Sequence, residues 1–164
     1  MIGLVGCGTR FEHPDQYQVI SDRLYDAMQS NMVKSGVRIV LVSDTETLSK
    51  KDMSYYKEIG FADLQESTLG DFNAKNEQSI RLVREKFAKD LDFDLISKEE
   101  LDAMFSAGEE EGWSRLRERF SKLSMVLRHS AVAFSDDGTQ AFFSGASSNG
   151  GAGGGRFYTL LVWT

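Results

Sequence analysis

Apolar residues recur along this chain at two periods, and the change of period marks the change of element. Tyr17, Ile20, Leu24 and Met28 lie at i, i+3, i+7 and i+11, with Ala27 beside them. Gln16, Asp22, Arg23, Asp26 and Gln29 fall largely away from that stripe. The spacing predicts an amphipathic helix over 15–31, opened by Pro14-Asp15 and broken at Ser35-Gly36. Val37 to Val42 is a nearly unbroken aliphatic run and predicts an internal strand buried on both faces. Met53, Tyr56 and Ile59 give a short helical period that ends or bends at Gly60. Phe72, Asn76, Ile80, Val83 and Phe87 are spaced by three or four and predict a helix over 70–88. Its opening at Thr68–Asp71 reads as an acidic variant of the capping box. Leu91, Phe93 and Leu95 alternate with acids and predict a short strand. Ser97-Lys98-Glu99-Glu100 is a full capping box, and Leu101, Met104 and Phe105 share one face of the helix it opens. Trp113, Leu116 and Phe120 form a further stripe, with Arg115, Arg117, Arg119 and Lys122 on its far side.

Beyond residue 125 the period becomes two. A strand is predicted over 130–134, a tight turn at Asp137-Gly138, a strand over 139–144, a glycine-rich loop over 145–155 and a strand over 156–163. In the last strand Phe157, Thr159, Leu161 and Trp163 face one way, and Tyr158, Leu160 and Val162 the other. Both sides are apolar, so this strand is expected to be central or covered on both faces. It is closed either by an earlier strand such as 37–42 or by residues of a longer chain. Together these elements predict an α+β fold: about four helices packed on a mainly antiparallel, twisted sheet that ends in a C-terminal β-meander.

Composition narrows the classes. With 164 residues, 41% hydrophobic and 27% charged, the chain is expected to build one core, in a domain over 13–164. A net charge of −6 argues against nucleic acid or anionic membrane as partner. No apolar run approaches the length needed to span a bilayer. One cysteine and two distant histidines make a poor metal-ligand set, and no metal or cofactor is expected.

The glycine-rich loop invites a nucleotide reading but lacks the Gly-Lys-Ser/Thr and the following helix of a phosphate-binding loop. What survives is an anion nest in which Gly151, Gly153, Gly154 and Gly155 offer backbone N–H groups and Arg156 closes the exit. A flexible hairpin connection is the other reading. Asp44 and Thr45, at the end of the 37–42 strand, form either a turn or a polar site. Asn76 is either a buried amide bonded to backbone or a ligand-facing one. Glu109, Glu110 and Glu111 lack calcium-loop spacing and read as a solvated turn. His129 adjoins Ser130, yet neighbours on a strand point to opposite faces, so no catalytic pair is expected.

Two resemblances bear on location. Leu4-Val5-Gly6-Cys7 resembles a bacterial lipobox, which implies lipidation at Cys7 and a tether or signal remnant over 1–12. This applies if translation starts upstream. If Met1 is the start, the expectation is a short strand with a buried cysteine and a cytoplasmic protein. The segments Asp71-Phe72-Asn73 with Asn76, Leu95 to Glu100, Gly112-Trp113, Phe134 to Ala141 and Gly153 to Tyr158 carry the second. In these the C-terminal half resembles an uncharacterised family of exported bacterial proteins. That resemblance implies the fold and export, and no activity. Two functional readings result. The first is a non-enzymatic, envelope-associated lipoprotein, periplasmic or membrane-anchored through Cys7, that binds a protein or small-molecule partner. The alternative is a small hydrolase-like or ligand-binding enzyme domain, its pocket between helices and sheet, with Asn76 and His129 as polar groups. A perturbed histidine in a cleft would favour the alternative.

Overall fold

The computed structural model describes residues 14–29, 38–151 and 153–163. Cys7, the 1–12 tether, Val37 and the end of the first expected helix lie outside them. In chain order the described elements are α1 (Gln16–Gln29), β1 (Arg38–Val42), α2 (Met53–Glu58), α3 (Glu66–Lys75), a 3-10 turn (Arg84–Lys86), β2 (Phe93–Ile96), α4 (Lys98–Phe105), α5 (Glu109–Arg119), β3 (Leu123–His129), β4 (Ala133–Phe134), β5 (Gln140–Ser148) and β6 (Gly154–Val162). The fold is α+β, with five α-helices and a six-stranded sheet among the described residues.

The sheet is mixed, which corrects the mainly antiparallel expectation. β1 lies between β2 and β3 and runs parallel to both, with Leu41 opposite Leu95 on one side and Leu127 on the other. β3 and the short β4 pair antiparallel with the two ends of β5, and β5 pairs antiparallel with β6 along its whole length. The parallel half follows from the connections. The chain between β1 and β2 carries α2 and α3, and that between β2 and β3 carries α4 and α5. Crossovers of that length return the chain in the same direction, whereas a tight turn reverses it.

α1 covers one face. Its Tyr17, Ile20 and Leu24 pack on Ile39, Leu41, Leu127, Ala141 and Phe143. The other face carries two clusters: Trp113, Leu116 and Leu101 of α4 and α5 against Val40, Val42 and Val126, and Tyr56, Leu69 and Phe72 of α2 and α3 against Ala133 and Phe142. β1 is buried on both faces, as its aliphatic run predicts.

Further expectations are corrected. The 70–88 helix is α3, which begins at Glu66 and ends at Lys75. Ile80 and Val83 are exposed, so the periodicity beyond Asn76 does not mark a buried stripe. The strand placed at 130–134 is replaced by β3, which starts at Leu123, and the two-residue β4. The 145–155 loop is mostly sheet, because Gly145 to Ser148 continue β5 and Gly154 to Arg156 open β6. Among the described strands β6 pairs only with β5 and does not meet 38–42, and its two faces pack against the α1 core and the α2–α3 core, the covering on both faces that its apolar sides predict. The acids at 109–111 form the first turn of α5.

Candidate functional site

Strand alternation sets Met125, Leu127 and His129 of β3 on the face that α1 covers. Between that face and α1 lies a cleft of about 200 Å³, lined by Arg23 and Ala27 of α1, by Met125, Leu127 and His129, and by Ser147 and Phe157 of β5 and β6. Gly145 pairs with His129 across the sheet on one side and with Phe157 on the other. A Cβ at Gly145 would lie 2.3 Å from the Phe157 ring, so glycine is what lets that ring lie against the strand. The ring then forms the cleft wall, 6.0 Å from the His129 ring and nearly perpendicular to it. Its other neighbour is the Arg23 guanidinium, whose Cζ is 5.3 Å from the ring centroid.

His129 is 1% exposed. Among the described residues neither of its ring nitrogens has a hydrogen-bond partner, and the same holds for Nε of Arg23. Buried polar atoms are nearly always paired, and three of the four orphans among the described residues belong to Arg23 and His129, which line this cleft. Burial, and secondarily the charge of Arg23, push the His129 pKa down to about 4. At pH 7 the ring is therefore neutral, with one N–H donor and one acceptor nitrogen. Among the described residues Arg23 has one carboxylate within ion-pair distance, the exposed Asp26 at 4.0 Å.

Ser130 does not join this site. Its hydroxyl donates to the Ala131 carbonyl at 2.9 Å and accepts the Ser144 N–H at 2.9 Å. Asp44 and Thr45 hold the end of β1. The Asp44 carboxylate accepts the Lys98 N–H at the start of α4 (2.7 Å), and the Thr45 hydroxyl accepts the Ile80 N–H (2.8 Å). Arg156 reaches this region through the next residue: its guanidinium donates to both oxygens of Glu46, at 2.8 and 3.1 Å, and to the Ser144 hydroxyl. Gly154 and Gly155 lie in β6, while Gly151 and Gly153 lie in the turn before it. That turn is seated on α5. Gly150 has φ +77°, and a Cβ there would meet Arg117 at 2.6 Å and Trp113 at 2.7 Å.

Asn76 caps α3 and ties it to the strand connection. Its amide donates to the Phe72 carbonyl (2.8 Å) and to the Ala131 carbonyl (3.4 Å), and its oxygen accepts the Ala131 N–H (2.7 Å). All three partners are backbone. Asn76→Ala is expected to cost about 2–3 kcal/mol, because it orphans a buried N–H and opens a small void. Urea unfolding checks this, and a loss under about 1 kcal/mol would show that water replaces the amide.

The sequence reading placed Arg23 on the polar side of α1 and did not use Glu46. The available signal for the cleft was the alternation of Met125, Leu127 and His129, which becomes visible once β3 is drawn from residue 123.

No family model matches the chain, and no curated protein matches it. Among solved structures, the C-terminal domain of LpoB from Salmonella enterica is similar over 85% of this chain and 93% of that chain, with 12% sequence identity and a TM-score of 0.36. A likeness this weak carries no argument about function. Among the described residues no group of three or more His, Cys, Asp or Glu could hold a metal ion, and no helix is long and apolar enough to cross a membrane.

Proposed function

We propose that this protein is a non-enzymatic binding domain that takes a small ligand in the cleft between α1 and the sheet, and that it works in the bacterial envelope, tethered through Cys7. The observation that supports binding is the set of unpartnered buried nitrogens, both of His129 and Nε of Arg23, carried by two residues that line one cleft. A folded protein tolerates such groups at a cost, and a ligand that completes their hydrogen bonds removes it. The His129 environment, named above as a sign of an enzyme-like pocket, supports a ligand site. Catalysis is disfavoured because the neighbouring serine is committed to backbone partners and no nucleophile is bonded to the imidazole. The envelope part rests on the lipobox-like Leu4 to Cys7 and on the resemblance to exported proteins.

Two measurements test this. A fragment library screened by the ring resonances of His129 is expected to give saturable shifts in the wild-type chain and none in a folded Ser147→Phe variant, whose ring would fill the cleft. Shifts that persist in that variant would place binding elsewhere. Intact mass after expression with the native upstream DNA is expected to show acylated protein beginning at Cys7 in the membrane fraction. A soluble, unmodified chain beginning at Met1 would remove the tether.

A further inference from the structure

Building on the reading of this cleft as a binding site, we propose that its ligand is a small monocarboxylate with an apolar tail, the carboxylate lying between the Arg23 guanidinium and the His129 ring. Among the described residues the cleft has one formally charged lining residue, Arg23, in a protein whose net charge is −6. A cationic ligand would face that charge directly. A carboxylate accepts hydrogen bonds from Arg23 Nε and from the His129 N–H, both unpartnered, and a charge-assisted pair of this kind is the stronger sort of hydrogen bond. A phosphate dianion fits less well. Its second charge would meet a neutral imidazole that is 1% exposed, and a buried charge without a counter-charge is costly. Apart from Ser147, the remaining described walls are apolar: Met125, Leu127, Ala27 and Phe157. They suit a short alkyl or aryl group. A volume of about 200 Å³ fits a compact acid better than a larger cofactor.

The experiment titrates the full chain, labelled with ¹⁵N-histidine, with hexanoate, hexan-1-ol, hexylamine and inorganic phosphate. Hexanoate is expected to move the His129 ring resonances with an affinity about tenfold or more above that of hexan-1-ol. In Arg23→Met, which keeps the apolar stem, the preference for hexanoate over hexan-1-ol is expected to vanish. The carboxylate assignment is overturned if hexanoate binds no tighter than hexan-1-ol, if Arg23→Met leaves hexanoate binding intact, or if phosphate or hexylamine binds more tightly. In those cases a shift with hexan-1-ol still upholds the cleft as a site. Silence of His129 towards all four probes, in a folded protein, removes both the assignment and the site.

Discussion

Phe142→Ala is expected to lower stability by about 4 kcal/mol, which for a domain of this size is a fall in Tm of roughly 8–16 °C. Phe142 is fully buried on β5. Its ring meets Phe72 at 4.9 Å, Tyr56 at 5.3 Å and Phe61 at 5.3 Å, all edge-on, and stacks parallel to Tyr158 at 6.0 Å. It thus joins α2, α3 and β6 in one cluster. Truncation removes the contacts of a whole ring, and aromatic neighbours tied to three different elements cannot close the space. Val162→Ala on the same sheet is the control. Val162 is 57% exposed, and its loss is expected to stay within about 0.5 kcal/mol. Thermal and urea unfolding of both variants check this, and a Phe142→Ala loss under about 2 kcal/mol would mean the cluster repacks.

His129→Leu is expected to flatten the pH dependence of stability between pH 6.5 and 4. Burial lowers the folded-state pKa of His129 from 6.5 to about 4. Above pH 6.5 the imidazole is neutral in both the folded and unfolded chains and contributes no pH dependence. As pH falls from 6.5 towards 4, the unfolded chain binds a proton that the folded chain does not, so stability declines. Below about 4 both states are protonated and the slope vanishes. The full span corresponds to about 3 kcal/mol. His129→Leu removes the titration and both orphaned ring nitrogens, so at pH 7 it is expected to be at least as stable as the wild type. Urea midpoints of the two proteins from pH 4 to 8 give the comparison. Parallel curves would show that His129 is hydrated or paired in solution and would undo the account of the cleft.

Legibility from sequence varied element by element, for physical reasons. The Ser97 to Glu100 capping box forms as read: the Ser97 hydroxyl accepts the Glu100 N–H and the Glu100 carboxylate accepts the Ser97 N–H. Every atom of that motif is local. α3 was misplaced because its start is secured from afar. Gln140 Oε1 accepts the Gln65 N–H, 75 positions away, together with the Thr68 hydroxyl, and its amide donates to the Asp63 carbonyl. Its end is set by Asn76 gripping Ala131, 55 positions away. The glycine run misled for the same reason. Glycine favours a loop on its own, but here Ser147 and Ser148 supply ladder partners for Gly155 and Gly154.

The alternation in 156–163, the apolar stripe of α1 and the aliphatic run of β1 were set by the chain itself, since each is a short-range period that one element can satisfy. Strand order, the parallel half of the sheet and the pairing of β6 with β5 alone among the described strands were decided in three dimensions, because they depend on which distant strand supplies the hydrogen bonds. The cleft is the plainest case. Arg23, His129 and Phe157 are ordinary residues on three separate elements, and only packing of α1 across β3, β5 and β6 brings a charge, an unpartnered imidazole and an aromatic wall around one space.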